Sequence, residues 1–469
     1  MGRRLGALWL LVCAATWGAG GVAQAQQIIA VSQDFSSQAE AVQESVNNQP
    51  RPEYQPIGIR LGQFLNFWDS PFSAQTIPDP ALTQLRPDAA PKNSAMGLRD
   101  SQVDSFLLRP SLEADLVFDD NLFRVAQNAD AEKIYILRPT LTLDSDWLNH
   151  ALTAQIGGEL GRHQDFGGED YNDFFISAGP RIDVDEYTVL NLNLGYANTH
   201  VARGSTDDQL EGSEPSIDTA LTVQADWRYQ SDKYSTRLLY DFLQSDAKDN
   251  DAIERDFLDL RSHTWVFRQG YEFTAGTTVW LQPGLELVDY QQSRDDTGLV
   301  RDNQGWTLLA GLTIDRSAVS FLELGLGAMS RSFEQEDQDD FLGLVYQGRL
   351  LWNISPLVTL DITAGRSAQL VQSTVSPIAV DDSISLELAW DPREYLIFGA
   401  TAALTYSDYE TQPGSEREED TVAIGFNVQY LMNANVYFEA AYDYTQLNSS
   451  LAGSDYQSNL FRLRAGVHL

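Results

Sequence analysis

The chain has almost no cysteine: of 469 residues only Cys13 is one, and it lies within an apolar run near the start. Beyond residue 13, disulfides and thiolate metal sites are therefore excluded. Basic residues are also scarce, with 31 Lys and Arg against 67 Asp and Glu, a formal net charge of -36 and a pI near 4.3. That balance excludes nucleic acid as a partner, because neutralising phosphates requires clustered cations. Long hydrophobic runs are missing after the N-terminus, and mean hydropathy is only -0.28. A helical membrane protein is thereby excluded. A barrel is not, because alternation hides its apolar half from any window average. The five histidines, His150, His163, His200, His263 and His468, sit on separate strands or turns and never recur at a zinc-ligand spacing. No cofactor is expected and no metal site. Ser262 beside His263 is the nearest approach to a hydrolase pair, but strand neighbours point to opposite faces. The chain reads as no enzyme.

Strand patterning is what the sequence has in abundance. Near the end, Val422, Ile424, Phe426, Val428 and Tyr430 share one parity, and Ala423, Gly425, Asn427 and Gln429 the other. The pattern restarts at Val436 and again at Phe461, the last run finishing on Leu469. Period-two alternation belongs to strands, and about 9–11 tilted residues cross a bilayer. From Ser105 onward the alternation is nearly unbroken and predicts about eighteen strands, an even number as bacterial barrels require. Connections alternate in length: Asp185-Glu186, Ser231-Asp232 and Ala275-Gly276 are short, whereas 119–131, 201–215 and 291–303 are long. Short periplasmic turns and long outer loops are what an outer-membrane barrel of a Gram-negative cell shows. The fold expected is all-β, a transmembrane antiparallel up-and-down β-barrel with both mature ends periplasmic. Trp227, Tyr229, Trp306, Trp352, Trp390, Tyr406 and Tyr430 fall on the apolar parity near strand ends, as interfacial girdles do.

Three segments result. Residues 1–25 read as a secretory signal peptide: Arg3 and Arg4, an apolar stretch, then Ala23-Gln24-Ala25 for cleavage. Residues 26–104 are proline-rich and aperiodic, an irregular periplasmic extension or a plug. Residues 105–469 form the barrel. Within it, Pro110, Pro139, Pro180 and Pro283 share the parity of their apolar neighbours, so each should face lipid at a bulged or locally unpaired spot.

Parity also selects the lumen. It sends Arg109, Glu113, Asp115, Arg138, Arg181, Asp226, Arg228, Glu323, Arg349, Asp361, Glu387, Glu439, Asp443, Arg462 and Arg464 inward as pore-lining candidates, with Glu159, Asp183 and Glu286. Mixed charges with acid in excess favour cations and neutral solutes in a water-filled pore. The bland reading is a narrow lumen whose charges merely neutralise one another. Acidic outer loops, such as Asp246 to Asp256 and Glu416 to Asp420, lack calcium-loop spacing and read as a solvated face that can bridge divalent ions to lipid headgroups.

Arg51-Pro52-Glu53-Tyr54-Gln55-Pro56-Ile57-Gly58-Ile59-Arg60-Leu61-Gly62-Gln63-Phe64, then Phe106-Leu107-Leu108-Arg109-Pro110-Ser111-Leu112 and Asp119-Asp120-Asn121-Leu122-Phe123, resemble the entry of the putative beta-barrel porin 2 family. About forty residues, Leu65–Asp104, are inserted between the first two of these elements. The resemblance implies bacterial outer-membrane barrels, some of them associated with exopolysaccharide export, and it supplies no catalytic residues. The function expected is a porin-like channel for sugars or secreted polysaccharide. The competing class is a non-conducting surface barrel whose acidic loops serve adhesion or envelope structure. Expected partners are outer-membrane lipid and lipopolysaccharide, the barrel-assembly machinery reading the C-terminal strand, and polysaccharide export components.

Overall fold

The computed structural model describes residues 101–469 other than 104, 204–213, 250–254, 293–299, 318, 335–339, 371–377, 410–416, 434, 452 and 469. The expected signal peptide, the extension up to residue 100 and the front part of the family-like motif lie outside the described residues. From the first described residues the chain is almost entirely strand. A stub, β1 (Ser101–Val103), precedes β2 (Phe106–Asp119), β3 (Glu132–Ser145), β4 (Ala151–His163), β5 (Tyr171–Asp183), β6 (Thr188–His200) and β7 (Ile217–Gln230). Next come β8 (Tyr234–Lys248), β9 (Leu260–Thr274), β10 (Thr277–Tyr290), β11 (Asn303–Ser317), β12 (Ser320–Phe333) and β13 (Phe341–Ser355). The wall ends with β14 (Val358–Leu370), β15 (Ile378–Arg393), β16 (Leu396–Tyr409), β17 (Arg417–Leu431), β18 (Val436–Ser449) and β19 (Tyr456–His468).

Every consecutive pair from β2 to β19 is antiparallel, and β19 returns to pair with β2 from Leu460↔Asp119 to His468↔Ser111. The eighteen long strands thus close on themselves, as the alternation predicts. Closure leaves no sheet edge, which matters because an unpaired backbone donor in hydrocarbon costs several kcal/mol. The β2 ladder to β19 stops at Ser111, while β3 follows β2 all the way to Phe106↔Ser145. β1 pairs Ser101↔Leu108 and Val103↔Phe106 on the side that β19 leaves bare. The last residues of the segment expected to be irregular therefore finish the seam.

The turns at 184–187, 231–233, 275–276 and 356–357 share one rim with the two ends of the barrel, and the long connections share the other. Strands of 13–16 residues, at about 3.3 Å per residue and tilted by about 45°, rise roughly 30–37 Å, more than an apolar band of about 25 Å. They project past the membrane. At the long-loop rim four aspartates sit just ahead of a returning strand and accept the amide of a residue near the end of the outgoing one. These are Asp170 from His163 N at 2.7 Å, Asp259 from Ala247 N at 2.8 Å, Asp302 from Tyr290 N at 2.6 Å and Asp455 from Ser449 N at 2.7 Å. Burial holds the Asp259 and Asp302 carboxyls above their ordinary range, against the pull of those amide bonds.

The prolines behave as their parity requires. β3 and β4 pair at Leu137↔Leu160 and again at Thr140↔Gly157, skipping Pro139 without a change of register. Pro180 is skipped between Ala178↔Leu194 and Arg181↔Asn191, and Pro283 between Leu281↔Gln269 and Gly284↔Val266. Pro110 lies just beyond the last β19 pair. Each spot is unpaired rather than bulged, because a missing donor removes bonds but adds no residue.

Candidate functional site: the inner wall

Along each strand one parity is apolar and exposed, the other polar and buried. Leu137, Leu281, Leu324 and Leu463 stand outward. So do Trp306 and Trp390, both 45% exposed, near opposite rims as a pair of girdles requires. The inward parity carries ions. Glu286 and Glu323 are each only 1% exposed. A buried ion must be paired to stay charged, and the wall satisfies that demand in clusters that run across strands.

The longest cluster crosses the seam. Tyr171 on β5 donates to Glu159 on β4 at 2.5 Å, and Glu159 accepts from Arg138 on β3 at 2.6 Å. Arg138 also binds Asp115 on β2. Arg464 on β19 forks onto both Asp115 oxygens at 2.8 and 2.9 Å and reaches Glu113 at 3.2 Å. Tyr437 on β18 then donates to Glu113 at 2.5 Å. A planar guanidinium suits this because its fork matches a carboxylate. Alternating charge thus links six strands, with Arg464 at the joint between the two ends of the barrel. Beside it, Arg462 meets Glu439 at 3.3 Å, and Asp443 lies half-buried on the same face as Glu439.

A second cluster is built around a ring. The Trp280 indole on β10 lies across β11 and β12, where a Cβ on Gly311 would come within 2.1 Å of it and one on Gly325 within 2.7 Å. Only glycine leaves that space, which explains why Gly325 falls mid-strand. Arg268 from β9 stacks on Trp280, 4.0 Å from the ring centroid. Its guanidinium binds Glu323 at 2.5 Å, while Trp280 Nε1 donates to Thr313 at 3.1 Å. Gln347 joins Glu323 at 3.1 Å, and Leu309, Met329 and Val345 pack with the indole.

The remaining candidates pair more locally. Asp226 receives Arg228 at 2.7 Å and Arg237 at 2.6 Å. Arg349 binds Asp361 at 2.7 Å, and Glu387 lies opposite Asp361 across the ladder. Arg109 binds Asp144 at 2.7 Å, and Arg181 binds Asp183 at 2.9 Å. Glu286 is met by Arg331 at 2.5 Å and by Ser262 at 3.1 Å.

Arg237, Arg268, Arg331 and Trp280 do not appear among the sequence candidates, although all have inward parity. Their signal is there, but their partners lie on other strands. The fold also gathers His163, Tyr171 and His200, which sequence spacing kept apart: His200 stacks on Tyr171 at 3.6 Å and binds Asp173 at 2.7 Å. Ser262 and His263 do point apart, Ser262 to Glu286 inside and His263 to Tyr240 at 2.9 Å outside. Of the acids expected in outer loops, Asp249 accepts from Arg255 N at 2.6 Å, whereas Glu418, Glu419 and Asp420 lie within β17, where Glu419 accepts from Tyr409 at 2.9 Å.

A closed eighteen-stranded wall, an apolar outer belt and an ionised inner face describe an outer-membrane channel scaffold. The family described as "Putative beta-barrel porin 2" matches residues 94–469. The chain belongs to that family. This porin-family barrel is an outer-membrane protein, and its family and fold are those of channels. Among solved structures it is similar to the outer membrane protein OpdK from Pseudomonas aeruginosa, at 10% identity, covering 77% of this chain and 99% of that one with a TM-score of 0.44. OccK2 (OpdF) of the same organism gives 9% identity, 78% and 97% coverage and a TM-score of 0.43. OpdO, also from Pseudomonas aeruginosa, gives 14% identity, 78% and 98% coverage and 0.42. No curated protein matches the chain.

Proposed function

We propose that this barrel is a passive or secretion-coupled pore for sugars or secreted polysaccharide, preferring cations and neutral solutes. The observation that carries the reading is the surplus of acid on the inner face. Among the described residues Asp241 is held only by the neutral amide of Gln224, at 3.0 Å, and one oxygen of Asp381 has no partner. With the arginines already engaged, this leaves a net negative potential along the path. A wet lumen is supported by Ser177, Asn191 and Asn193 on the inner face of β5 and β6. Their buried polar atoms have no protein partner among the described residues, which water would supply.

The short-turn rim is then periplasmic, and residues 65–104 are the candidate plug. Polysaccharide export components would meet that rim, while the outer rim would meet lipopolysaccharide. Planar-bilayer recording tests the reading. The intact protein should give cation-preferring steps, and removing residues 65–104 should leave conductance equal or larger. If neither form conducts, the reading fails and a surface-structural barrel takes its place. Anion preference would instead show that the acids of the inner face do not set the potential.

A further inference from the structure

The lipid-facing parity is mostly apolar, and one of the places where polar side chains interrupt it is the short-turn rim between β7 and β10. There Thr236 and Gln269 face outward side by side, and the Thr236 hydroxyl donates to Gln269 Oε1 at 2.9 Å. The Gln269 amide in turn donates to Ser235 O at 2.9 Å and to Gly270 O at 3.1 Å. An amide on a lipid-facing strand is costly unless satisfied, and here it is satisfied by the wall itself. These short polar side chains floor an open notch of about 660 Å³. Tyr229, Tyr234 and Tyr271 stand around it, with Val279 and Leu281 continuing it towards the bilayer interior. The Tyr234 and Tyr271 rings are 5.3 Å apart, and none of the three phenols meets a partner among the described residues. In the turn between Ser231 and Tyr234, both of which line the notch, Asp232 and Lys233 are exposed.

We propose that this notch seats the headgroup of one zwitterionic glycerophospholipid, of the phosphatidylethanolamine type, from the periplasmic leaflet. The phenols and the Lys233 ammonium present donors for the phosphodiester, Asp232 presents an anion for the ethanolamine ammonium, and Val279 and Leu281 offer apolar surface to an acyl chain. One acid and one base on the same turn complement a headgroup of both signs better than a purely anionic one. An ordinary girdle tyrosine lies flat at the interface and needs no concavity and no polar floor. The assignment goes beyond conduction and depends only on the short-turn rim being periplasmic.

Native mass spectrometry of the full-length protein in mild detergent, with defined lipid added, tests it. Wild type should retain one phosphatidylethanolamine in preference to phosphatidylglycerol. Lys233→Glu and the double variant Tyr234→Phe with Tyr271→Phe should each reduce retention by about tenfold, the equivalent of about 1.4 kcal/mol. Tyr395→Phe, which alters a girdle tyrosine on another part of the wall, should change nothing. Heat-modifiable gel migration establishes that each variant is a folded barrel, and the Phe substitutions remove only hydroxyls. Equal retention by wild type and variants, or indifference to headgroup, overturns the proposal. A normal conductance in the variants leaves the channel reading standing either way.

Discussion

The seam and the opposite wall solve one problem, a buried ion inside a barrel, by different means. At the seam the solution is alternating charge with a phenol at each end: Glu159, Arg138, Asp115, Arg464 and Glu113 alternate in sign, and Tyr171 and Tyr437 close the row. At β9 to β13 Arg268 reaches Glu323 directly across two intervening strands, and the Trp280 ring fills the space beneath the guanidinium over β11 and β12. The first arrangement asks β3, β4 and β19 for one residue of the right sign each and β2 for two. The second asks for Trp280, two glycines beneath it and an arginine above it, all from different strands. A seam must be formed by the two ends of the chain meeting late, and long-range electrostatics can guide that meeting before contact. The other wall is made from sequence neighbours and can use close packing instead, which acts only at contact.

The comparison can be broken most severely at the seam. Deleting residues 461–469 removes most of β19, and with it the pairing to β2, so we expect no heat-modifiable barrel and no protein in the membrane fraction. Normal membrane levels of the truncated chain would contradict the account. Arg464→Ala leaves Asp115 with Arg138 alone and Glu113 with Tyr437; removing one partner of a buried pair costs roughly 3–5 kcal/mol. The unfolding midpoint in denaturant should fall accordingly, and Arg464→Lys should recover part but not all of it, since a point charge cannot fork.

On the opposite wall Gly311→Val drives a side chain into Trp280 and also towards Leu324 O, 2.3 Å from the added Cβ. Overpacking of this kind costs about 1–3 kcal/mol, and the unfolding midpoint should drop without any dependence on salt. A salt-sensitive loss would place the defect in the ion pairs. Pro283→Val should act in the other direction. It restores a ladder donor facing Phe267, worth about 0.5–1.5 kcal/mol, and slower exchange of the neighbouring amides would register it. The smallest effect concerns pH. Folded carboxyls raised by burial bind protons more tightly than unfolded ones, so Asp259 and Asp302 stabilise their loop bases most below the usual carboxylate range and lose that contribution as pH rises through their folded pKa values. Limited proteolysis of the loops at 249–258 and 291–301 should therefore be slower at pH 4.5 than at pH 7 for a protease active at both.

Much of this architecture is legible in the sequence, because a closed barrel repeats one local rule. Period-two alternation located the eighteen strands to within a few residues, turn lengths sorted the rims, and parity turned Asp115, Glu323 and Arg464 inward. Parity says which face a side chain takes, and nothing about its neighbour. That Arg138 would stand between Asp115 and Glu159, or that Arg268 would lie on Trp280, depends on register and curvature, which arise only when strands pair. The β1 stub was invisible for another reason. Three residues are too few to show a period, and their pairing is called for by the bare end of β2 rather than by their own composition.

The aspartates that close the long loops have a consequence for how this surface can vary. Each base is sealed by one carboxylate and one backbone amide, Asp170 with His163, Asp259 with Ala247, Asp302 with Tyr290 and Asp455 with Ser449. The acceptor is the single side chain required, since any residue but proline can supply the amide. Some residues between the two also hold the wall, as buried Arg255 does on Asp218 at 2.8 Å and buried Glu169 on Arg203 at 2.7 Å, so the exposed positions are the ones left without that duty. Such a loop is a cassette on a fixed base: its exposed stretch can be exchanged, by evolution under pressure from outside the cell or by a protein engineer displaying a foreign peptide, while the sealed base and the wall beneath keep their shape.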